Sequence, residues 1–150
     1  MCLEGKSNII KKMNAGFMLL MLVMQWFPFW SYEGRSVSIG AYFWLPKTYK
    51  DMDNFLVSVM PDYHVNSFAY IFLIITLVSV AGIVLALWKS KFMLVSLFPL
   101  AAGVLGVYAF STRVILQMGS TWIVQLLLYA VMALLAVMAF VIDIMEKKKK

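Results

Sequence analysis

The chain has 150 residues, of which 63% are hydrophobic and 13% charged, with a mean hydropathy of +0.88. A water-soluble domain carries about a quarter charged residues, so this composition excludes an ordinary soluble fold. The net charge of +6 gathers at the ends of long apolar runs, which is a membrane-topology signal and argues against nucleic-acid binding.

Residues 1–12 read as a short basic arm holding Lys6, Lys11 and Lys12. Cys2 is the single cysteine, so neither an intramolecular disulfide nor a cysteine metal cluster can form. Ala15–Phe27 contains no charged side chain, and with its flanks it predicts a first membrane span at 13–30. A cleavable signal needs small residues after its apolar core. Gln25–Tyr32 is bulky and aromatic instead, so the span is expected to be retained. Trp26, Phe27, Phe29, Trp30 and Tyr32 surround Pro28 where this span should end. Rings with a polar tip favour the headgroup level, and proline lacks the donor that a continuing helix needs. The stretch therefore reads as an interfacial belt rather than a ligand cage.

Residues 31–66 form the one sizeable segment between spans. Val37–Leu45 is apolar, aromatic and partly alternating, which predicts an extended piece closed by Pro46. Thr48–Asp51 matches a capping-box pattern with Asp in place of the usual Glu. Met52, Phe55, Leu56, Val59 and Met60 then recur at helical spacing until Pro61. A short amphipathic surface helix is expected there. Its apolar face, with Phe43 and Trp44, is the candidate partner-binding surface. His64 is the single histidine, near Asp62, Tyr63 and Asn66. No nucleophile or metal partner accompanies it, and a turn into a helix capped by Asn66 or Ser67 explains the same residues.

Three further uncharged runs, Phe68–Leu87, Phe92–Phe110 and Trp122–Ile142, predict spans at 67–88, 92–110 and 121–144. They leave a turn at 89–91, an outer loop at 111–120 and a basic tail at 145–150, drawn to anionic headgroups. Small and hydroxylic residues pack helices closely in lipid. Thr76, Ser79, Gly82 and Ala86 follow helical spacing on the second span, and Ser96, Pro99, Gly103 and Gly106 on the third. The two stripes are expected to face each other as a packing seam, with Pro99 kinking its helix. Gln25 and Gln125 lie at matching depths, where a bond between them would contribute about 1 kcal/mol.

With both ends cytoplasmic, nine basic residues and three acids lie inside, and four of each lie outside. That distribution obeys the positive-inside rule. The expectation is an all-α integral protein of the cell membrane: a single four-transmembrane-helix bundle over 1–150, whose outer loop at 31–66 contains one extended piece and one amphipathic surface helix. This layout resembles that of claudin-like proteins in topology alone, since the loop lacks their cysteine pair and Trp-x-x-Gly-Leu-Trp motif. The apolar runs hold no Asp, Glu, Lys, Arg or His, which argues against proton-coupled transport. No catalytic, cofactor or metal constellation occurs. The expected role is therefore a non-enzymatic accessory or interaction subunit, partnered by the lipid bilayer and by another membrane protein or a second copy. An oligomeric small channel or transporter is the alternative, and a membrane-interface enzyme using His64 comes third.

Overall fold

In a computed structural model the described residues are 3–32, 35–38, 65–89, 92–112 and 121–148. Among them are four α-helices: α1 (Leu3–Met24), α2 (Val65–Trp88), α3 (Leu97–Thr112) and α4 (Trp122–Lys148). A 3-10 turn, Met93–Ser96, leads into α3. An antiparallel hairpin of β1 (Pro28–Tyr32) and β2 (Arg35–Ser38) follows α1.

Each helix packs on its neighbours in sequence and α1 packs on α4, closing a ring. Neighbours run antiparallel. Gln25, just past α1, meets Thr76 of α2; Gly103 and Gly106 of α3 meet Ala133 and Tyr129 of α4; Ser7 of α1 meets Asp143 of α4. The bundle thus has a Lys11 end, with the start of α1 and the end of α4, and a Gln25 end.

The buried positions explain this packing. On α1 Ser7, Lys11, Asn14, Met18 and Met21, continuing to Gln25, are spaced alternately four and three residues apart, with Ala15 buried beside Asn14. On α4 Gln125, Tyr129, Met132, Ala136, Ala139 and the largely buried Asp143 repeat the same spacing. Phe72, Ile75, Ser79, Gly82 and Ala86 do so on α2. This 3.5-residue repeat keeps one seam of each helix facing its partners when helices pack at a shallow angle.

Polarity is inverted across these helices. Leu73, Ile74, Leu77, Val80 and Val84 of α2 and Val124, Leu127, Leu134 and Val137 of α4 point outward, whereas Lys11, Asn14, Ser79, Ser96 and Gln125 are buried. Helices α2 and α4 are long and apolar enough to cross a membrane, over Tyr70–Trp88 and Ile123–Lys148. Of the four expected spans, the other two are shorter. Lysines occupy the first half of α1, leaving the uncharged Met13–Met24, about 18 Å at 1.5 Å per residue. The α-helical part of α3 has 16 residues, about 24 Å.

The basic arm is helical from Leu3 onward, with Ser7 and Lys11 in the buried seam. Two local expectations are corrected. The first helix stops at Met24 rather than reaching Trp30. The Trp26 and Phe27 amides donate to the Val23 and Met24 carbonyls at 3.1 and 3.0 Å, tightening the last turn. A residue before proline is driven out of the α region, so Phe27 cannot extend the helix. Pro28 opens β1, a position that tolerates its missing N–H. Trp30 then pairs with Val37 and Tyr32 with Arg35, with a bulge between Pro28 and Trp30. Lastly, Pro99 does not kink the middle of a helix. It lies in the first turn of α3, where a missing donor costs little, directly after the 3-10 turn.

The expected extended piece at 37–45 meets described structure only at Val37 and Ser38. Its remainder, the expected surface helix and His64 lie outside the described residues. Helix α2 is described from Val65, so Asn66 and Ser67 are already helical rather than capping it.

Candidate functional site

Two layers of polar side chains cross the interior of the bundle. At the Gln25 end, the Gln25 Nε2 donates to Thr76 Oγ1 at 3.2 Å, and Thr76 Oγ1 donates to the Phe72 carbonyl of its own helix at 2.9 Å. The Gln25 amide thereby ties α1 to α2. Tyr129 of α4 is fully buried. The expected bond between Gln25 and Gln125 is replaced by the contact with Thr76. Gln125 Nε2 turns to Thr121 Oγ1, 3.1 Å away on the preceding turn. Gln125 is wholly buried, and its Oε1 has no hydrogen-bond partner among the described residues.

At the Lys11 end the layer is charged. Lys11 Nζ stands 2.6 Å from Asp143 Oδ2, with side chains only 1% and 10% exposed. Ser7 Oγ donates to Asp143 Oδ1, and Lys11 Nζ reaches the Phe92 carbonyl at 3.4 Å. The ammonium group therefore joins α1, α4 and the turn before α3. Asn14, one helical turn further along α1, is 0% exposed, and neither Nδ2 nor Oδ1 has a partner among the described residues. The same holds for the hydroxyl of the buried Ser96.

Between these layers the small residues make room for larger ones. A Cβ on Gly82 would lie 2.8 Å from Phe98 Cβ and 2.9 Å from the Met18 sulfur, so α1, α2 and α3 meet there. A Cβ on Gly103 would lie 2.8 Å from Ala133 Cβ, and one on Gly106 would strike the Tyr129 ring. The α3 glycines thus seat α4, not the stripe on α2 that the spacing suggested. The physical reason is the Tyr129 ring, which needs the space that Gly106 leaves. Ser79, Ala86 and Pro99 are buried, and Thr76 is half-buried.

The charged layer was missed because Lys11 stands before the apolar run and Asp143 after one. Carrying the 3.5-residue repeat back from Gln25 and forward from Gln125 would have found both. The candidate partner-binding residues Phe43, Trp44, Met52, Phe55, Leu56, Val59 and Met60 lie outside the described residues. Among the described residues, no three His, Cys, Asp or Glu side chains cluster as metal ligands would. Comparison of the chain with family models, curated proteins and solved structures finds no match.

Proposed function

We propose that the protein is a multi-pass membrane protein whose four helices all lie in the bilayer with both ends cytoplasmic, acting as a non-enzymatic interaction subunit of a larger membrane complex. The observation that carries the membrane reading is the inverted polarity. Exposed Leu, Ile and Val side chains cover the outer faces of α2 and α4, while amides, hydroxyls and an ion pair are inside. In water this arrangement would leave large apolar faces uncovered; in lipid the apolar faces meet hydrocarbon and the polar groups are kept away from it. The 3-10 turn adds about 8 Å to α3, bringing it to about bilayer thickness. The exposed Trp88 and Phe92 fall at the Lys11 end, and Trp26, Phe27 and Tyr108 towards the other. Such rings suit two headgroup levels.

What supports an interaction role is that the polar groups which do find partners, Gln25, Thr76, Ser7, Lys11 and Asp143, spend their bonds within the bundle. Purification in mild detergent, with mass determination and identification of co-purifying proteins, tests this reading. A stoichiometric larger partner is expected, and substitution of both Phe55 and Leu56 by Ser should lose it without lowering thermal stability. A discrete homo-oligomer without a partner would overturn the reading in favour of a small channel or transporter. That second reading is favoured by one observation, the buried and unpartnered polar atoms of Asn14, Ser79, Ser96 and Gln125 among the described residues.

A further inference from the structure

We infer that the Lys11 end of the bundle is a binding surface for the headgroups of anionic phospholipids, built by α1, α2 and α4 together rather than by the basic tail alone. The inference rests on the proposed membrane setting and names the lipid class that one end of the bundle selects. Closure of the bundle gathers at that end lysines from the start, middle and finish of the chain: Lys6, Lys11, Lys12, Lys89, Lys147 and Lys148. Among the described residues, the Gln25 end carries Arg35 as its one basic residue.

Burial decides which of these charges face outward. Lys11 points inward and is neutralised by Asp143. The other five lysines are exposed, whereas Glu146 is half-buried. Glu4 is the remaining acid of this end among the described residues. Packing also sets the lysines of α1 and α2 at a common depth. Met18 lies against Gly82, and an equal number of residues further along these antiparallel helices come Lys12 and Trp88. Lys89 follows Trp88, and its carbonyl accepts the Phe92 amide at 2.9 Å, while the Phe92 carbonyl accepts Lys11 Nζ at 3.4 Å.

The outward faces of three helices run in the order in which a phospholipid presents its parts. On α2 the exposed Val84 and Leu87 are followed by Trp88, 83% exposed, and by Lys89. On α4 the exposed Val137 and Val141 lead to Lys147 and Lys148, and on α1, read towards its start, Leu20 and Leu19 lead to Lys12. Apolar side chains meet acyl chains, an indole suits the interfacial level, and a lysine stem can lie along apolar surface while its ammonium group reaches a phosphate. Each basic residue near an anionic leaflet strengthens binding by about fivefold. An acidic soluble protein would use the charges and leave the aliphatic and aromatic surface beneath them uncovered, so lipid fits better.

The test uses full-length protein purified in neutral detergent and incubated with equal amounts of phosphatidylglycerol and phosphatidylcholine of the same acyl chains. The lipid retained through gel filtration is then quantified. Phosphatidylglycerol is expected to exceed phosphatidylcholine by at least about fivefold, and sodium chloride at about 1 M should bring the ratio towards one. Lys12→Gln with Lys89→Gln should lower the ratio several-fold, as should Lys147→Gln with Lys148→Gln, while Arg35→Gln leaves it unchanged. Equal retention of the two lipids overturns the inference and leaves the membrane reading standing; retention of neither overturns both. If the ratio follows Lys147 and Lys148 but not Lys12 and Lys89, the tail acts alone and the inference falls. It falls equally if glycerol phosphate in solution displaces the lipid, or if an acidic protein co-purifies through the same lysines in place of it.

Discussion

A lysine with 1% of its side chain exposed has few ways to remain charged, and Lys11 uses a carboxylate and a carbonyl. Removing one member of such a pair strands the other, at a cost of about 3–5 kcal/mol, whereas replacing both by apolar groups is often neutral. Lys11→Met or Asp143→Asn alone should therefore lower stability by that order in chemical denaturation, and Lys11→Met with Asp143→Leu should recover most of it. Equal losses in the double and single variants would show that the pair does not act as a unit. A second residue-scale test concerns glycine. Gly106→Ala pushes a methyl into the Tyr129 ring and should cost about 1–3 kcal/mol by overpacking. Gly16→Ala meets nothing within 4 Å and should gain up to about 1 kcal/mol from helix propensity. Thermal melts of the two variants should move in opposite directions.

At the scale of elements, the seams decide which helices meet. Gln25 and Thr76 are the polar contact between α1 and α2, and such bonds within membrane bundles average about 0.6 kcal/mol in double-mutant cycles. A cycle with Gln25→Leu and Thr76→Val should return a coupling of that order, and a coupling indistinguishable from zero would remove the bond from the account of this interface. Helix α1 shows how local and tertiary demands combine. Pro28 dictates where it stops, a matter of backbone sterics alone. Its extension back through Lys11 and Ser7 follows from packing, since both are buried against α4 and the turn before α3. The hairpin had its own sequence signal in Glu33–Gly34 between two short runs. The aromatic density of Pro28–Tyr32 hid it, because an interfacial belt accounts for the same rings.

For the whole molecule, antiparallel neighbours in a closed ring put Ser36, in β2 just past the Gln25 end, at the opposite end from Trp88 and Phe92, which flank Ser90 in sequence. If all four helices cross the bilayer with both ends inside, Ser36→Cys should react with an impermeant thiol reagent in intact cells and Ser90→Cys should not, in a Cys2→Ser background. The reverse labelling pattern would invert the orientation, and labelling of both would remove the four-span arrangement.

Composition and periodicity by themselves determined the helical class, the four helices and the burial of Ser79, Gly82, Ala86, Gly103 and Gly106, because long uncharged runs and the spacing of small residues are local properties of the chain. Which partner each seam meets was not local. Gly106 serves Tyr129 rather than α2, and Gln25 serves Thr76 rather than Gln125. Nor could the apolar runs disclose the charged layer, since Lys11 and Asp143 lie 132 positions apart and outside every one of them. Only the closing of α1 onto α4 brings the two charges within 2.6 Å, where each offsets the other's cost of leaving water.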